Sequence, residues 1–529
     1  MTKLDVLIIT PNDREAIYQN LGTELAAVEP PVWAALIANF LRQRGYGVAV
    51  IDAEGKQMTV NDTVAQITGY DPRLIVVVVY GQHPSASTQT MHAAGKLCRK
   101  LKESYPEYMV LLVGGHVSAL PERTLLEEKA DFVCQGEGPY TIAALLETNL
   151  NDPNELRKVP GLWYRDEGKA VFTGLAPLIT QEKLGAELPG MAFDLLPMSS
   201  YRAHNWHCFG SINERQPYAS LYTSLGCPFN CLFCCINAPF GKPGLRYWEP
   251  DFIIKQFDLL AQKYNVKNIK IADEMFVLNE KHFMELCRLL KERAYGFNIW
   301  AYSRIDTVKP RYLEELKEAG VNWLALGIES FSDHVRGGVA KGRFNQNNIR
   351  ETISAIKNAG INIVGNYIFG LPADNYGTMQ ETLDFAIELN CEMANFYSAM
   401  AYPGSALYQF ALDHNWGLPA TWLGYSQYSY ETLPLGTNFL TGGEVLAFRD
   451  KAWVQYFTNP SYLALVKNKF GAETYKHITE MTKYRLPRKN TVKNQIRIME
   501  HEINNSGGRI WDPFVSGIRR ASQTYGTGR

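Results

Sequence analysis

The chain has 529 residues, of which 46% are hydrophobic and 20% charged, with a formal net charge of -1 and a pI near 6.8. That balance fits a globular protein of two or three domains and excludes charge-driven binding of nucleic acid or other polyanions. No apolar run reaches the roughly 18 residues of a membrane helix, and the amino terminus turns polar at Pro11-Asn12-Asp13-Arg14, too early for a signal peptide; no membrane insertion and a cytoplasmic location are expected.

In chain order, Leu4–Thr10 reads as a first strand. Residues 31–44 read as a helix, with Trp33, Leu36, Ile37, Phe40 and Leu41 on one face and Gly45 just beyond its end. Strands follow at 48–52 and 74–80, the second apolar throughout as a doubly covered parallel strand would be. A helix is predicted near 88–105, a strand at 109–113 running into Gly114-Gly115-His116, and a short strand at 132–134 running into Gly136-Glu137-Gly138. This alternation predicts an open, doubly wound parallel sheet over residues 1–145. Residues 146–216 read as an irregular linker.

Alternation resumes over 217–404. Strands are expected at 219–225, 268–274, 298–304, 322–328, 363–369 and 395–400, with helices at 252–264, 281–293, 311–319, 347–359 and 378–389. Six such units predict a partial (β/α)6 barrel, with its chemistry at the carboxyl ends of the strands. Residues 405–529 read as a mixed, largely helical region. From Lys483 onward it turns basic and ends in a Gly/Ser/Thr-rich tail read as solvated.

The nine cysteines are not a disulfide framework, since five are scattered singly. Cys227, Cys231 and Cys234 stand apart, spaced C-x3-C-x2-C in a loop after a strand. Thiolates suit iron–sulfur clusters or zinc. Structural zinc wants a fourth ligand, and Cys235, adjacent to Cys234, reaches the same metal poorly. Three thiolates on a four-iron cluster leave one iron open, as a catalyst requires.

This segment, Cys227-Pro228-Phe229-Asn230-Cys231-Leu232-Phe233-Cys234, resembles the signature of the radical S-adenosylmethionine (SAM) superfamily. The resemblance implies a [4Fe–4S] cluster whose open iron binds SAM and cleaves it to a 5′-deoxyadenosyl radical. It places Phe233 near the adenine, Asp273 or Glu274 at the SAM amino group, Glu329 or Ser330 at the ribose or methionine part, and the segment from Asn366 to Pro372, with Phe369 in Phe369-Gly370-Leu371-Pro372, near the adenine. Arg304, ending the third barrel strand, belongs to the same set.

The amino-terminal half has no G-x-G-x-x-G after its first strand and no P-loop, so a dinucleotide or nucleotide site is not expected. Its order before the barrel resembles the cobalamin-dependent radical SAM family over residues 1–410. The landmarks are Pro30-Pro31, the segment from Gly81 to Thr88, Gly114-Gly115-His116 and Gly136-Glu137-Gly138. The resemblance makes Gly81, Gln82, His83, Ser85, Ser87, Gly114, Gly115, His116, Gly136 and Glu137 the cobalamin-side residues. Glycines admit a large flat ligand, and hydroxyls suit its nucleotide tail. The loop after the first strand has no histidine, so none from that loop can bind cobalt; a His83–cobalt bond and a mere loop-capping role for His83 both stay open.

The resemblance implies methyl transfer from SAM, by way of methylcobalamin, to a carbon radical of a small-molecule substrate. A reductase or flavodoxin-type protein would donate the electrons. Alternatives are a cobalamin-dependent radical cyclase or rearrangement enzyme without net methylation, and a non-catalytic cobalamin or redox sensor. The amino-terminal domain, residues 1–145, lacks the second cluster motif of a methylthiotransferase, having only Cys98 and Cys134. Candidates for the substrate cavity are His204, Trp206, His207, Tyr397, Tyr402 and the Pro403-Gly404-Ser405 turn.

Overall fold

The computed structural model describes residues 4–342 and 344–490; the tail beyond residue 490 lies outside the described residues. Two parallel sheets organise the chain. The first contains β1 (Leu4–Thr10), β2 (Val48–Asp52), β3 (Pro72–Val78), β4 (Val110–Val113), β5 (Phe132–Cys134), β6 (Leu162–Asp166) and β7 (Lys169–Phe172), in the order β2-β1-β3-β4-β5-β6-β7. Strands β1 to β5 pair in parallel, as expected. Val6 and Ile8 of β1 face one buried layer with the helix Val32–Gln43; Leu7 and Ile9 face the other with the helix Ala86–Ser104. Period-two side chains buried on both sides explain the unbroken apolar strands.

The expected linker is only partly irregular. Strands β6 and β7 form an antiparallel hairpin that extends the first sheet from β5. Its two turn residues, Glu167 and Gly168, both have positive φ (49° and 79°), the geometry that suits a two-residue hairpin to strand twist. Trp163 and Phe172 stack across it at 4.8 Å.

The second sheet contains β8 (Tyr218–Leu221), β11 (Asn268–Ile271), β12 (Asn298–Arg304), β13 (Val321–Glu329), β14 (Asn362–Phe369) and β15 (Met393–Ser398). They lie side by side in chain order, all parallel, with helices between them. This is the partial six-strand barrel.

One boundary differs from expectation. The strand expected over 219–225 leaves the sheet after Leu221, and β9 (Ser224–Cys227) pairs instead, antiparallel, with β10 (Gly244–Tyr247). Asp273 sits at the break. Its carboxylate accepts from the Thr223 backbone N–H (2.6 Å), which is thereby withheld from the ladder, and from the Thr223 (2.5 Å) and Ser224 (2.7 Å) hydroxyls.

Helices Gly442–Phe457 and Pro460–Met481 cover the β15 edge of the barrel, an edge that would otherwise offer unpaired backbone. Tyr456 donates to the Cys391 carbonyl, Tyr462 to the Glu392 carbonyl, and Arg449 to the Phe396 carbonyl. No helix among the described residues is long and apolar enough to cross a membrane.

Candidate active site

The two sheets turn loops from their carboxyl edges toward one cavity of about 460 Å³. From the first sheet come Gln82, His83, Pro84 and Ser85. From the second come Lys270, Glu274, Trp300, Tyr302, Glu329 and Tyr397, and from the cysteine loop Phe233 and Cys234. Such a crevice is where open α/β sheets bind ligands. A smaller cavity beside it, about 30 Å³, is bordered by Gly81, His83, Gly115, Cys235 and Glu274.

The cysteine loop is held by its backbone. Cys227 ends β9, the Leu232 N–H donates to the Val339 carbonyl, and the Cys234 N–H donates to the Cys231 carbonyl. Gly226 at φ 92° brings β9 against β10, and a Cβ there would lie 2.5 Å from the Gly244 carbonyl oxygen. All three thiols are free. Burial pushes Cys227 up to about 11, with the nearby Glu274 and Cys231 charges adding to the effect. Deprotonation therefore needs a compensating cation, as a bound metal centre provides. Arg304 stands beside the loop, its guanidinium 4.1 Å from the Phe229 ring centre and donating to Cys231 Sγ at 3.4 Å. It is anchored by Asp306 at 2.9 and 2.8 Å and by the Lys341 carbonyl. Among the described residues no three His, Cys, Asp or Glu side chains are placed to hold a single metal ion. Three free thiols on one pinned loop beside a fixed cation fit a three-thiolate cluster.

At the strand ends, the carboxylates separate into two kinds. Asp273 is 1% exposed and its oxygens are taken up by Thr223 and Ser224, so it shapes the loop and does not face the cavity. Glu274 lines the cavity with no hydrogen-bond partner among the described residues. Burial pushes its carboxyl up to about 7, opposed by Lys270 and reinforced by Asp273. An ammonium group bound there would be its missing partner. Glu329 ends β13 at φ 65°, a backbone conformation uncommon for a residue with a side chain, and pairs with Lys341 at 2.5 Å. Gly327 makes the room: a Cβ there would lie 2.6 Å from both Glu329 Oε1 and Lys341 Nζ.

Two expected contacts lie elsewhere. Ser330 is fully buried behind the cavity, its hydroxyl 3.2 Å from that of Thr382. Phe369 is fully buried in the wall, stacked on Phe396 at 5.5 Å and edge-on to Phe448 at 4.9 Å. The side chain of each points into the layer behind its strand, which residue spacing alone does not reveal.

The first sheet's residues divide in the same way. Gln82, His83 and Ser85 reach the large cavity, and Gly81 and Gly115 the small one. Ser87 is spent internally: its hydroxyl donates to the Val79 carbonyl and accepts from the His116 N–H at 2.8 Å. Gly114, at φ 157°, passes so close to the Val79 carbonyl that any side chain would collide with it. The His116 ring packs edge-on to Trp422 at 4.4 Å and meets Thr88 at 3.2 Å through Nδ1; its buried Nε2 has no partner. The Gly136 N–H donates to Ser118, and at φ 128° this residue has open space where a Cβ would stand. Glu137 is committed to Arg246 (2.5 Å) and the Ile179 N–H (2.9 Å), tying the first sheet to β10. Open space at Gly136, an orphaned His116 nitrogen and an unpartnered His83 fit a large polar ligand at this edge.

Of the cavity candidates, His204, Trp206, Tyr397 and Tyr402 line it. His207 is buried with Nε2 3.0 Å from the Asn298 carbonyl, Gly404 packs on Ala119 and Ala238, and Ser405 caps the helix Ala406–Asp413.

Sequence reasoning missed Lys270 and Glu29. Lys270 sits in Asn268-Ile269-Lys270-Ile271, its side chain 2% exposed, 2.7 Å from Glu29 Oε2 and 3.0 Å from the Gln82 carbonyl. His204 Nε2 lies 3.7 Å from the other Glu29 oxygen. A lysine inside an apolar strand demands a buried partner, and that was the available signal.

The B12 binding domain family matches residues 19–146, and the Radical SAM superfamily matches residues 221–386. The chain carries both domains, in the order expected of a cobalamin-dependent radical SAM protein. It is therefore an enzyme, and its cofactors are a [4Fe–4S] cluster, SAM and cobalamin. An uncharacterised methyltransferase of Pyrococcus horikoshii is 28% identical over 464 residues, covering 88% of this chain and 94% of the relative. The anaerobic magnesium-protoporphyrin IX monomethyl ester cyclase of Rubrivivax gelatinosus is 25% identical over 466 residues, covering 87% and 78%. The fold is shared with OxsB, a cobalamin-dependent SAM radical enzyme solved with aqua-cobalamin and SAM (TM-score 0.66, 17% identity, 97% of this chain and 76% of that one). It is shared too with the radical SAM methyltransferase TsrM from Kitasatospora setae, solved with cobalamin and a [4Fe–4S] cluster (TM-score 0.65, 15% identity, 91% and 99%).

Proposed function

We propose that this enzyme transfers a methyl group from SAM to a carbon atom of a small-molecule substrate. The observation that carries this reading is the single cavity bordered both by Cys234 and Phe233 of the cysteine loop and by Gln82, His83 and Ser85 of the first sheet. When bound, the cluster supplies the electron that cleaves SAM, and cobalamin carries the methyl group.

In this reading Cys227, Cys231 and Cys234 hold the cluster, and Arg304 offsets thiolate charge at Cys231. Glu274 accepts from the SAM ammonium, Glu329 from a ribose hydroxyl, and the Phe233 ring lies against the adenine. Asp273 fixes the direction in which β9 delivers Cys227. Gly81 and Gly115 admit the corrin. Trp206, Trp300, Tyr302 and Tyr397 wall the substrate space and exclude water, which keeps a reactive species from being quenched. We extend the cobalamin-binding unit from residue 145 to 172, since β6 and β7 complete its sheet. A flavodoxin-type protein or reductase as electron donor and a cytoplasmic location belong to the same proposal.

The cyclase relative favours a second reading, ring formation without net methylation. The protein, reconstituted anaerobically with iron, sulfide and cobalamin, then reduced and supplied with SAM, tests both. S-adenosylhomocysteine formed together with 5′-deoxyadenosine supports methyl transfer. 5′-Deoxyadenosine alone supports the second reading, and neither product overturns both.

A further inference from the structure

The imidazole of His83 has no hydrogen-bond or ion-pair partner among the described residues, although it borders both cavities. Of the other histidines nearby, His204 accepts from the Ala27 N–H and faces Glu29; His116 and His207 each keep one buried ring nitrogen without a partner among the described residues, but neither borders either cavity. The His83 ring is exposed toward these cavities, its nitrogens open to a bound ligand. An imidazole ordinarily loses its proton below physiological pH. The ring is neutral at physiological pH and keeps a free lone pair.

The ring is free while its backbone is held. His83 follows β3, the strand between β1 and β4, so it sits over the middle of the first sheet's carboxyl edge. Lys270 reaches across from the barrel and donates to the carbonyl of Gln82, the preceding residue. The Gln82 side chain accepts from Tyr18 and donates to Glu54, both at 3.3 Å, and Pro84 restricts the backbone on the other side. Tyr18 belongs to the short helix Arg14–Tyr18 in the loop after β1, which has no histidine to compete for the same ligand. A nitrogen donor with a fixed base and no protein partner has the form of a preorganised metal ligand.

We infer that His83 is the protein's axial ligand to the cobalt of bound cobalamin, and that Lys270 positions it through the Gln82 carbonyl. The inference rests on the cobalamin assignment. The imidazole lone pair forms a coordinate bond to cobalt and displaces water or the cofactor's own benzimidazole; no electron or proton is transferred.

The test is electron paramagnetic resonance of the whole protein loaded anaerobically with cob(II)alamin, prepared with ordinary and with nitrogen-15 histidine. One axial nitrogen splits the cobalt lines into three. Histidine ligation predicts that nitrogen-15 histidine reduces each triplet to a doublet, that His83→Ala and His83→Gln lose the splitting, and that Lys270→Met diminishes it. A triplet unaffected by labelling assigns the ligand to benzimidazole and overturns the inference. So does the absence of nitrogen splitting in wild-type protein, or a doublet that persists in both His83 variants. Wild-type protein that takes up no cobalamin by its optical spectrum overturns the cobalamin assignment itself, and the inference with it.

Discussion

At the carboxyl edge of the first sheet, space is made by what side chains leave out. Gly114 lies against the Val79 carbonyl, Gly136 leaves a Cβ-sized opening, and Ser87 is consumed in holding the two loops together. At the carboxyl edge of the second sheet, the strand ends and the cysteine loop beside them carry charge and thiol: Glu274, Arg304, Glu329 and Cys227. In the proposed function the first edge cradles a preformed group and contributes shape. On the same proposal the second must create and stabilise charge at defined points, so it contributes fixed ions in a low-dielectric setting. One fold class thus serves two tasks through the composition of its loops.

The sharpest way to break that division is Cys231→Ala. We expect loss of cluster iron and a fall of about a thousandfold or more in 5′-deoxyadenosine formation, with cobalamin retention unchanged. Iron analysis, product assay and the cobalamin absorbance check it, and joint loss of both cofactors would show that the edges are not separable. Gly114→Val is the converse. Overpacking against the Val79 carbonyl should cost about 1–3 kcal/mol and abolish cobalamin retention while iron content persists.

The seam between the edges comes next. Burial alone would raise the Glu29 carboxyl, but Lys270 and His204 outweigh it and hold it at about 2. Its folded-state pKa is therefore below the usual 4.5, so its stabilisation is present above pH 4.5 and is lost as pH falls toward 2. Lys270→Met should lower stability at pH 7 by about 3 kcal/mol by stranding Glu29, and should flatten this acid limb; thermal melts across pH check both. The smallest effect sharpens the charged edge: Glu274→Gln should weaken SAM binding about tenfold by removing the ammonium's partner, measured by equilibrium dialysis.

Much of this was legible because it is local. The C-x3-C-x2-C spacing lies within one loop, and the strand–helix alternation repeats often enough to reveal both sheets. The hairpin at 162–172 was legible too, through Glu167-Gly168 between two β-rich runs, yet scattered Pro, Gly and Asp around it suggested a linker. Asp273 was not legible. Its role depends on Thr223 and Ser224, some fifty residues earlier, and a strand-end carboxylate looks the same whether it faces a ligand or a neighbouring loop.

The amino-acid order by itself determined the two-sheet architecture, the cysteine loop and the family, since periodicity and short motifs need only near neighbours. Tertiary structure alone decided which strand-end residues reach the cavity. Ser330 and Phe369 turn into the wall and Glu137 is spent on Arg246, while Lys270 crosses to Glu29 and Gln82 of the other sheet. Those outcomes follow from how two layers pack face to face, and a buried polar group goes wherever its partner happens to be.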